Sequence, residues 1–208
     1  MRSTALRVVV ESTPKRAFAS ALDWPGWSRS GKSEEGAIEQ LLEHQLRFAE
    51  VARRAGLAFP MDIVDVDVVE RGPGNATTDF GAPAFIADAH RGELSTTECL
   101  RLVALLKAAW GYFDDVVAQA PAELRKGPRG GGRDTAALVA HVHDPEGAYA
   151  RKMGIVTRAV ADVRAAVIAA LAQPHEVAGD GVWPKRFGAQ KFIWHTLDHA
   201  WEIEDRSR

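Results

Sequence analysis

The chain has 208 residues, of which 46% are hydrophobic and 26% are charged, as is typical of a folded globular protein. Its 26 basic and 28 acidic side chains give a net charge of −2, so it lacks the basic field that nucleic-acid binding requires. No run approaches the ~18–20 apolar residues of a membrane span, and residues 1–11 lack the apolar stretch of a signal peptide. We therefore expect a cytoplasmic protein that binds neither nucleic acid nor membranes.

The single cysteine, Cys99, excludes an intrachain disulfide and any metal site built on paired cysteines. It lies early in a predicted helix, where a small core residue is expected rather than a nucleophile. The chain also lacks a phosphate-binding loop, a GxSxG nucleophile elbow and a dinucleotide-binding fingerprint.

The N-terminal part predicts strand, strand, helix and strand in that order. Apolar runs at residues 6–10 and 17–22 are separated by a proline-containing turn and predict the first two strands. Ser33 is a predicted N-cap, and one helix is expected from there to a glycine stop at Gly56. Acidic and apolar residues alternate over residues 62–69, which predicts a strand with one buried face.

After residue 93 the pattern becomes helical. Ser95 and Glu98 form a predicted capping box, and Asp134 begins a second helix beyond a glycine-rich linker at residues 127–132. Two further helices are predicted, at residues 157–172 and 185–205. Four helices with short connections favour a bundle.

These elements predict an α+β protein in two parts. Residues 1–90 are expected to form a small α/β unit, an antiparallel sheet plus one helix, and residues 91–208 a four-helix bundle. The loop that carries Trp24 and Trp27 is interpreted either as a binding surface or as a plug between the two parts.

The histidines give the sharpest chemical signal. His195 and His199 are four residues apart, so on a helix they lie one turn apart on one face, where two imidazoles can bind one divalent metal. Such a pair is also often found in a core or on a surface. His141, three residues after Leu138, is expected to point into the bundle and His143 to point away.

Other residues near this pattern have ordinary interpretations. Pro145 is expected to end or kink the helix that carries His141. His44, His90 and His175 lie in polar or loop contexts and are predicted to be surface residues. The tryptophans of the last helix, at positions 194 and 201, are expected to pack in the core first and to line a substrate site second.

Two segments carry a family resemblance: ALVAHVHD at residues 137–144 and WHTLDH at residues 194–199. Together they resemble the DinB/YfiT-like superfamily of four-helix bundles, over roughly residues 93–208. The resemblance implies a metal site with His141 from the second helix and His195 and His199 from the last. Known members include thiol-linked transferases and isomerases. Two features depart from the family pattern: Pro145, and a short interval between His141 and His195.

Three imidazoles would leave an open metal position, which favours zinc, although nickel, iron and manganese accept the same ligands. Glu202 extends the histidine face and is either a catalytic base or partner of a histidine, or simply the ion-pair partner of Arg206 four residues on. The leading hypothesis is a metal-dependent hydrolase, transferase or isomerase that acts on a small molecule. The oligomeric state is left open between a monomer and a homodimer.

The segment LDWPGWSRSGKSEEGA at residues 22–37 resembles the strand-to-helix stretch of HicB-like antitoxins. This resemblance bears on the fold of the N-terminal unit and not on toxin binding. The alternative function is that of a non-catalytic protein-binding module. In it the bundle is structural, and a HicB-like N-terminal unit binds a protein partner through the Trp24–Trp27 loop.

Overall fold

A computed structural model of the chain describes residues 5–63, 65–127, 132–157, 159, 162–174, 179 and 181–208. Within these residues the protein has the expected α+β class. The four strands are β1 Leu6–Ser12, β2 Ala17–Ala21, β3 Ser28–Gly31 and β4 Val66–Pro73. The helices are α1 Glu34–Glu43, α2 Gln45–Arg54, α3 Ala76–Phe80, α4 Thr96–Gln119, α5 Thr135–His143, α6 Glu146–Lys152, α7 Val163–Leu171 and α8 Lys185–Ser207, with a 3-10 turn at Asp88–His90.

The sheet is mixed, with strand order β3-β2-β1-β4. Strands β1, β2 and β3 pair antiparallel, whereas β4 pairs parallel to β1. The predicted antiparallel sheet with one helix is therefore wrong. Strand β3 runs parallel to β1. The helices that follow β3 bring the chain back to the end of the sheet where β1 begins, so β4 also runs parallel to β1. The sequence Ser-Arg-Ser-Gly of β3 carries no apolar signal, which is why this strand was missed.

Strand β4 begins four residues later than predicted. Its alternation is confirmed, because Val66 and Val68 are half-buried while Asp67 and Val69 are exposed. A bulge lies at this point, since Val8 is paired with Val68 and Val9 with Glu70, which leaves Val69 without a partner in β1.

The predicted helix over residues 33–56 is two helices that meet at His44. The Ser33 cap is confirmed, since its hydroxyl accepts a hydrogen bond from the Gly36 amide at 3.2 Å. The break has a packing cause. Helix α1 packs on β2 and β3, whereas α2 packs on α4, so the two apolar stripes have to face different partners.

In the C-terminal half, the Ser95–Glu98 capping box of α4 is confirmed, with Glu98 N donating to Ser95 Oγ at 3.2 Å. Helix α7 begins at Val163 rather than at residue 157; residues 158, 160 and 161 of the predicted helix lie outside the described part, as do residues 128–131 of the predicted linker. Helix α8 packs against α4, α5 and α6, and α7 packs against α4 and α6. The four-helix bundle arrangement stays a prediction.

One cluster of buried hydrophobic side chains extends from the sheet into these helices. Trp27 belongs to it, is fully buried and donates its indole N–H to the Leu41 carbonyl at 2.8 Å. Trp24 is also buried, with its ring 4.7 Å from that of Phe59. Both tryptophans are therefore core residues, and they do not form an exposed surface for a protein partner. The predicted domain division at residue 90 stays a prediction.

Helix α8 lies at the centre of the fold, and every residue from Phe187 to Leu197 is buried. The loop between β2 and β3 packs directly on it. Gly26 in that loop has a φ of +94°, and a Cβ atom placed there would lie 2.1 Å from Ile193 Cγ2. Only glycine satisfies both the backbone conformation and the close approach.

We expect Gly26→Ala to lower the free energy of unfolding by about 3 kcal/mol, because the strain of the backbone at Gly26 and the overpacking against Ile193 both destabilise the folded state. Gly111→Ala is the matched control. Gly111 lies in α4 with no atom within 4 Å of an added Cβ, so alanine should stabilise that helix by up to ~1 kcal/mol. Urea unfolding of both variants measures the difference, and equal stabilities would contradict the close packing of the loop on α8.

Within the part of the chain that the structure describes, no helix combines the length and apolarity needed to cross a membrane.

His90 was predicted to be a surface residue, and that prediction is wrong, since its exposure is 2%. Its Nδ1 accepts a hydrogen bond from the Ala87 amide at 3.0 Å, and its Nε2 lies 3.2 Å from Gln190 Oε1 on α8. Burial lowers the pKa of His90 to about 4. His44 is half-buried against Trp201, and His175 lies outside the described residues.

Because the unfolded chain takes up a proton near pH 6.5 and folded His90 does not, stability is expected to fall as the pH drops from about 6.5 towards 4. His90 alone should contribute a loss of about 2 kcal/mol by pH 5. The measurement is the free energy of urea unfolding at pH 7 and pH 5 with chelator present. His90→Gln should reduce the difference between the two pH values by that amount, whereas His143→Gln, at an exposed position, should leave it unchanged.

Candidate metal centre

Three histidines from two helices converge at one point. His141 lies on α5, and His195 and His199 lie one turn apart on α8. One nitrogen from each ring can be chosen such that all three lie within 4.8 Å of one another. The ring centroids are 4.7 Å apart for His141 and His199, and 5.2 Å apart for His141 and His195. The predicted convergence of these residues is thus present.

The local sequence explains why His141 faces α8. Leu138 and Val142 on α5 are buried, so the half-buried His141 lies on the side of the helix that packs inward, while His143 is exposed as expected. Pro145 interrupts the helix, as predicted, but does so after the histidine. Helix α5 ends at His143 and α6 begins at Glu146, with Asp144 and Pro145 both in the right-handed helical region.

Glu202 makes both of the contacts that the sequence left as alternatives. Its Oε2 lies 2.8 Å from His199 Nδ1, and its Oε1 accepts from the Arg206 guanidinium at 2.7 Å. Since a carboxylate can only accept, Nδ1 of neutral His199 carries the proton and Nε2 keeps its lone pair. The hydrogen bond with His199 lowers the pKa of Glu202, which favours the carboxylate form that this contact requires.

Burial keeps the other two imidazoles neutral. His195 is 7% exposed, and desolvation, followed by the repulsion of the other two histidines, lowers its pKa to about 3. Burial is also the main cause that lowers the pKa of His141. A neutral imidazole has the free lone pair that a metal ion needs, so at neutral pH both residues have the form of a ligand.

The histidines line a cavity of about 1050 Å³ between the two parts of the chain. The N-terminal part contributes Arg16 and the segment around α3, and the C-terminal part contributes α5, α6 and α8. Aromatic rings form much of the wall: Phe80, Tyr149, Trp183, Phe187 and Trp194. A cavity of this size, with aromatic walls and polar groups that converge on it, suits a small-molecule ligand.

The wall that the N-terminal part supplies is held from two sides. The Glu11 carboxylate accepts from the Ala84 amide at 2.9 Å, from the Phe85 amide, and from Thr78 Oγ1 at 2.9 Å. Lys191 on α8 donates to the Pro83 carbonyl at 2.7 Å. The segment that closes the cavity is therefore fixed to both β1 and α8.

Sequence reasoning missed the cationic side chains of this cavity. Lys191 lies one turn before His195, so the same helical spacing that identified the histidine pair could have included it. Arg133 and Lys152 carried no spacing signal. Asp198 also lines the cavity, but its carboxylate pairs with Arg29 on β3 at 2.7 Å.

Comparisons with protein-family models, curated proteins and solved structures found no match to this chain. Its function is therefore inferred from the geometry and chemistry of the histidine cluster.

Proposed function

We propose that this protein is a metal-dependent enzyme whose divalent cation is held by His141, His195 and His199. The observation that carries the proposal is the convergence of the three imidazoles in the wall of a large cavity. Zinc bound at about 2.0–2.1 Å to each of three nitrogens would separate those nitrogens by about 3.4 Å. Nitrogens already within 4.8 Å reach that spacing through small side-chain rotations, so the donor set fits zinc.

The substrate of the proposed enzyme is a small molecule that enters the cavity. A divalent metal in this position would supply a Lewis acid or a bound water of lowered pKa. Tyr149 and Trp183 offer apolar surfaces against which a substrate can be oriented. The choice among hydrolysis, transfer and isomerisation stays a prediction, and the DinB-like resemblance includes thiol-linked reactions among the options. The cytoplasmic location, which is expected from the composition of the chain, stays a prediction as well.

Glu202 acts in this proposal through His199. It is hydrogen-bonded to the ring nitrogen that faces away from an Nε2-bound metal, and it does not belong to the residues that line the cavity. We infer a positioning role, in which the carboxylate fixes the tautomer and the orientation of the ligand.

The proposal is tested by metal analysis of protein purified without chelator and by zinc titration calorimetry. We expect one zinc per chain in the wild type, and His195→Ala should lose at least a hundredfold in zinc affinity. His143→Ala is the control, because this histidine lies two residues from His141 but is exposed. A wild type that binds no divalent metal, or a His195→Ala variant with unchanged metal content, would show the proposal to be wrong.

The positioning role of Glu202 has its own test. Glu202→Gln retains all three histidines but weakens the contact that orients His199, and such changes lower metal affinity by about 10–100-fold. Glu39→Gln removes an exposed carboxylate on α1 and should have no effect on zinc affinity. Equal zinc affinities in the two variants would argue that Glu202 serves only the Arg206 ion pair.

A further inference from the structure

The cavity beside the histidines carries an excess of positive charge. Four cationic side chains line it: Arg16, Arg133, Lys152 and Lys191. Two carboxylates line it as well, but Asp198 is paired with Arg29, a residue outside the lining, at 2.7 Å. Asp144 therefore remains as the single lining carboxylate without such a pairing among the described residues.

Lys191 is the most unusual of these cations, since it is 3% exposed. Its ammonium donates to the Pro83 carbonyl, and its Nζ lies 4.9 Å from the centroid of the Trp194 ring. Within the described residues, no carboxylate lies within 4.0 Å of this ammonium. Burial disfavours the charged ammonium more than the nearby Glu11 carboxylate favours it, so the pKa of Lys191 falls to about 8, and an anionic ligand would offset part of this cost.

Two further donors in the same lining lack partners. The Trp194 indole Nε1–H has no hydrogen-bond acceptor among the described residues, but it is sealed from solvent, so the ring lines the cavity with its apolar atoms. Arg133 makes no hydrogen bond or ion pair with any described residue, although it lines the cavity together with His141 and His195. Arg133 is exposed to solvent and has no carboxylate partner among the described residues, so its guanidinium is available to a ligand with negatively charged oxygen atoms.

We propose that the cavity binds a small organic anion, a carboxylate or a phosphate ester, attached to a flat aromatic body. Arg133 and Lys191 bind the anionic group, and the rings of Tyr149 and Trp183 pack against the body. The inference rests on the proposed function in that it names the substrate class of the same site. Anion binding itself does not require the metal.

The test uses three probes of one shape: 2-naphthoate, 2-naphthyl phosphate and the neutral 2-naphthamide. Dissociation constants are measured by calorimetry on the full chain, once with zinc and once with chelator. In chelator, where no metal can attract the anion, we expect at least one anionic probe to bind ten times more tightly than the amide. Which anion binds more tightly decides between carboxylate and phosphate ester. Equal binding of all three probes, or no binding at millimolar concentration, would overturn the inference.

Arg133→Gln should weaken binding of the preferred anion about tenfold and leave the amide unchanged, because the substitution removes charge but little apolar surface. Arg151→Gln is the matched control, an exposed arginine on α6 that does not line the cavity. An equal loss in the two variants would indicate general attraction to a basic surface and would contradict the proposed subsite.

The outcomes for metal and anion are distinguishable. If zinc fails to bind while an anion still binds in chelator with the expected Arg133 dependence, the metal-dependent enzyme is wrong and the anion site stands. If zinc binds through the histidines while the charged and neutral probes bind equally, the anion site is wrong and the metal site stands.

Discussion

The burial of residues 187–197 of α8 on every side is the constraint on which the rest of this structure depends. The helix contacts the loop between β2 and β3 through Ile193 on one side and packs against α4, α5 and α6 on others. A polar side chain on such a helix needs an internal partner. Gln190 has His90 and Lys191 has the Pro83 carbonyl, so the helix ties distant segments of the chain together through its polar groups.

The histidine cluster follows from the same constraint. Burial removes water from His195 and disfavours its charged form, so its ring is neutral. One nitrogen from this ring lies close to one nitrogen each of His141 and His199, next to α5. Glu202 lies on the outer side of the cluster and accepts a hydrogen bond from the Nδ1–H of neutral His199, the contact on which its proposed positioning role rests. Stability and chemistry are thus coupled, because the packing that holds α8 in place also prepares the three imidazoles for a cation.

The N-terminal part contributes to the site as well as to the core. Glu11 on β1 and Lys191 on α8 hold the segment around Pro83 from opposite sides, and this segment closes the cavity. The walls of the cavity combine aromatic rings and cationic groups from both parts. This arrangement gives the proposed metal a bounded space in which a small anionic molecule can be oriented.

Local signals in the sequence by itself determined the α+β class, the caps at Ser33 and Ser95, and the spacing of His195 and His199, because each depends on residues within one or two helical turns. The sequence also placed His141 on an inward face. Only the tertiary structure decided the parallel pairing of β4, the break at His44, and the cationic lining of the cavity, since these depend on which surfaces meet across the fold. Long-range packing, unlike helical spacing, leaves no periodic trace in the chain.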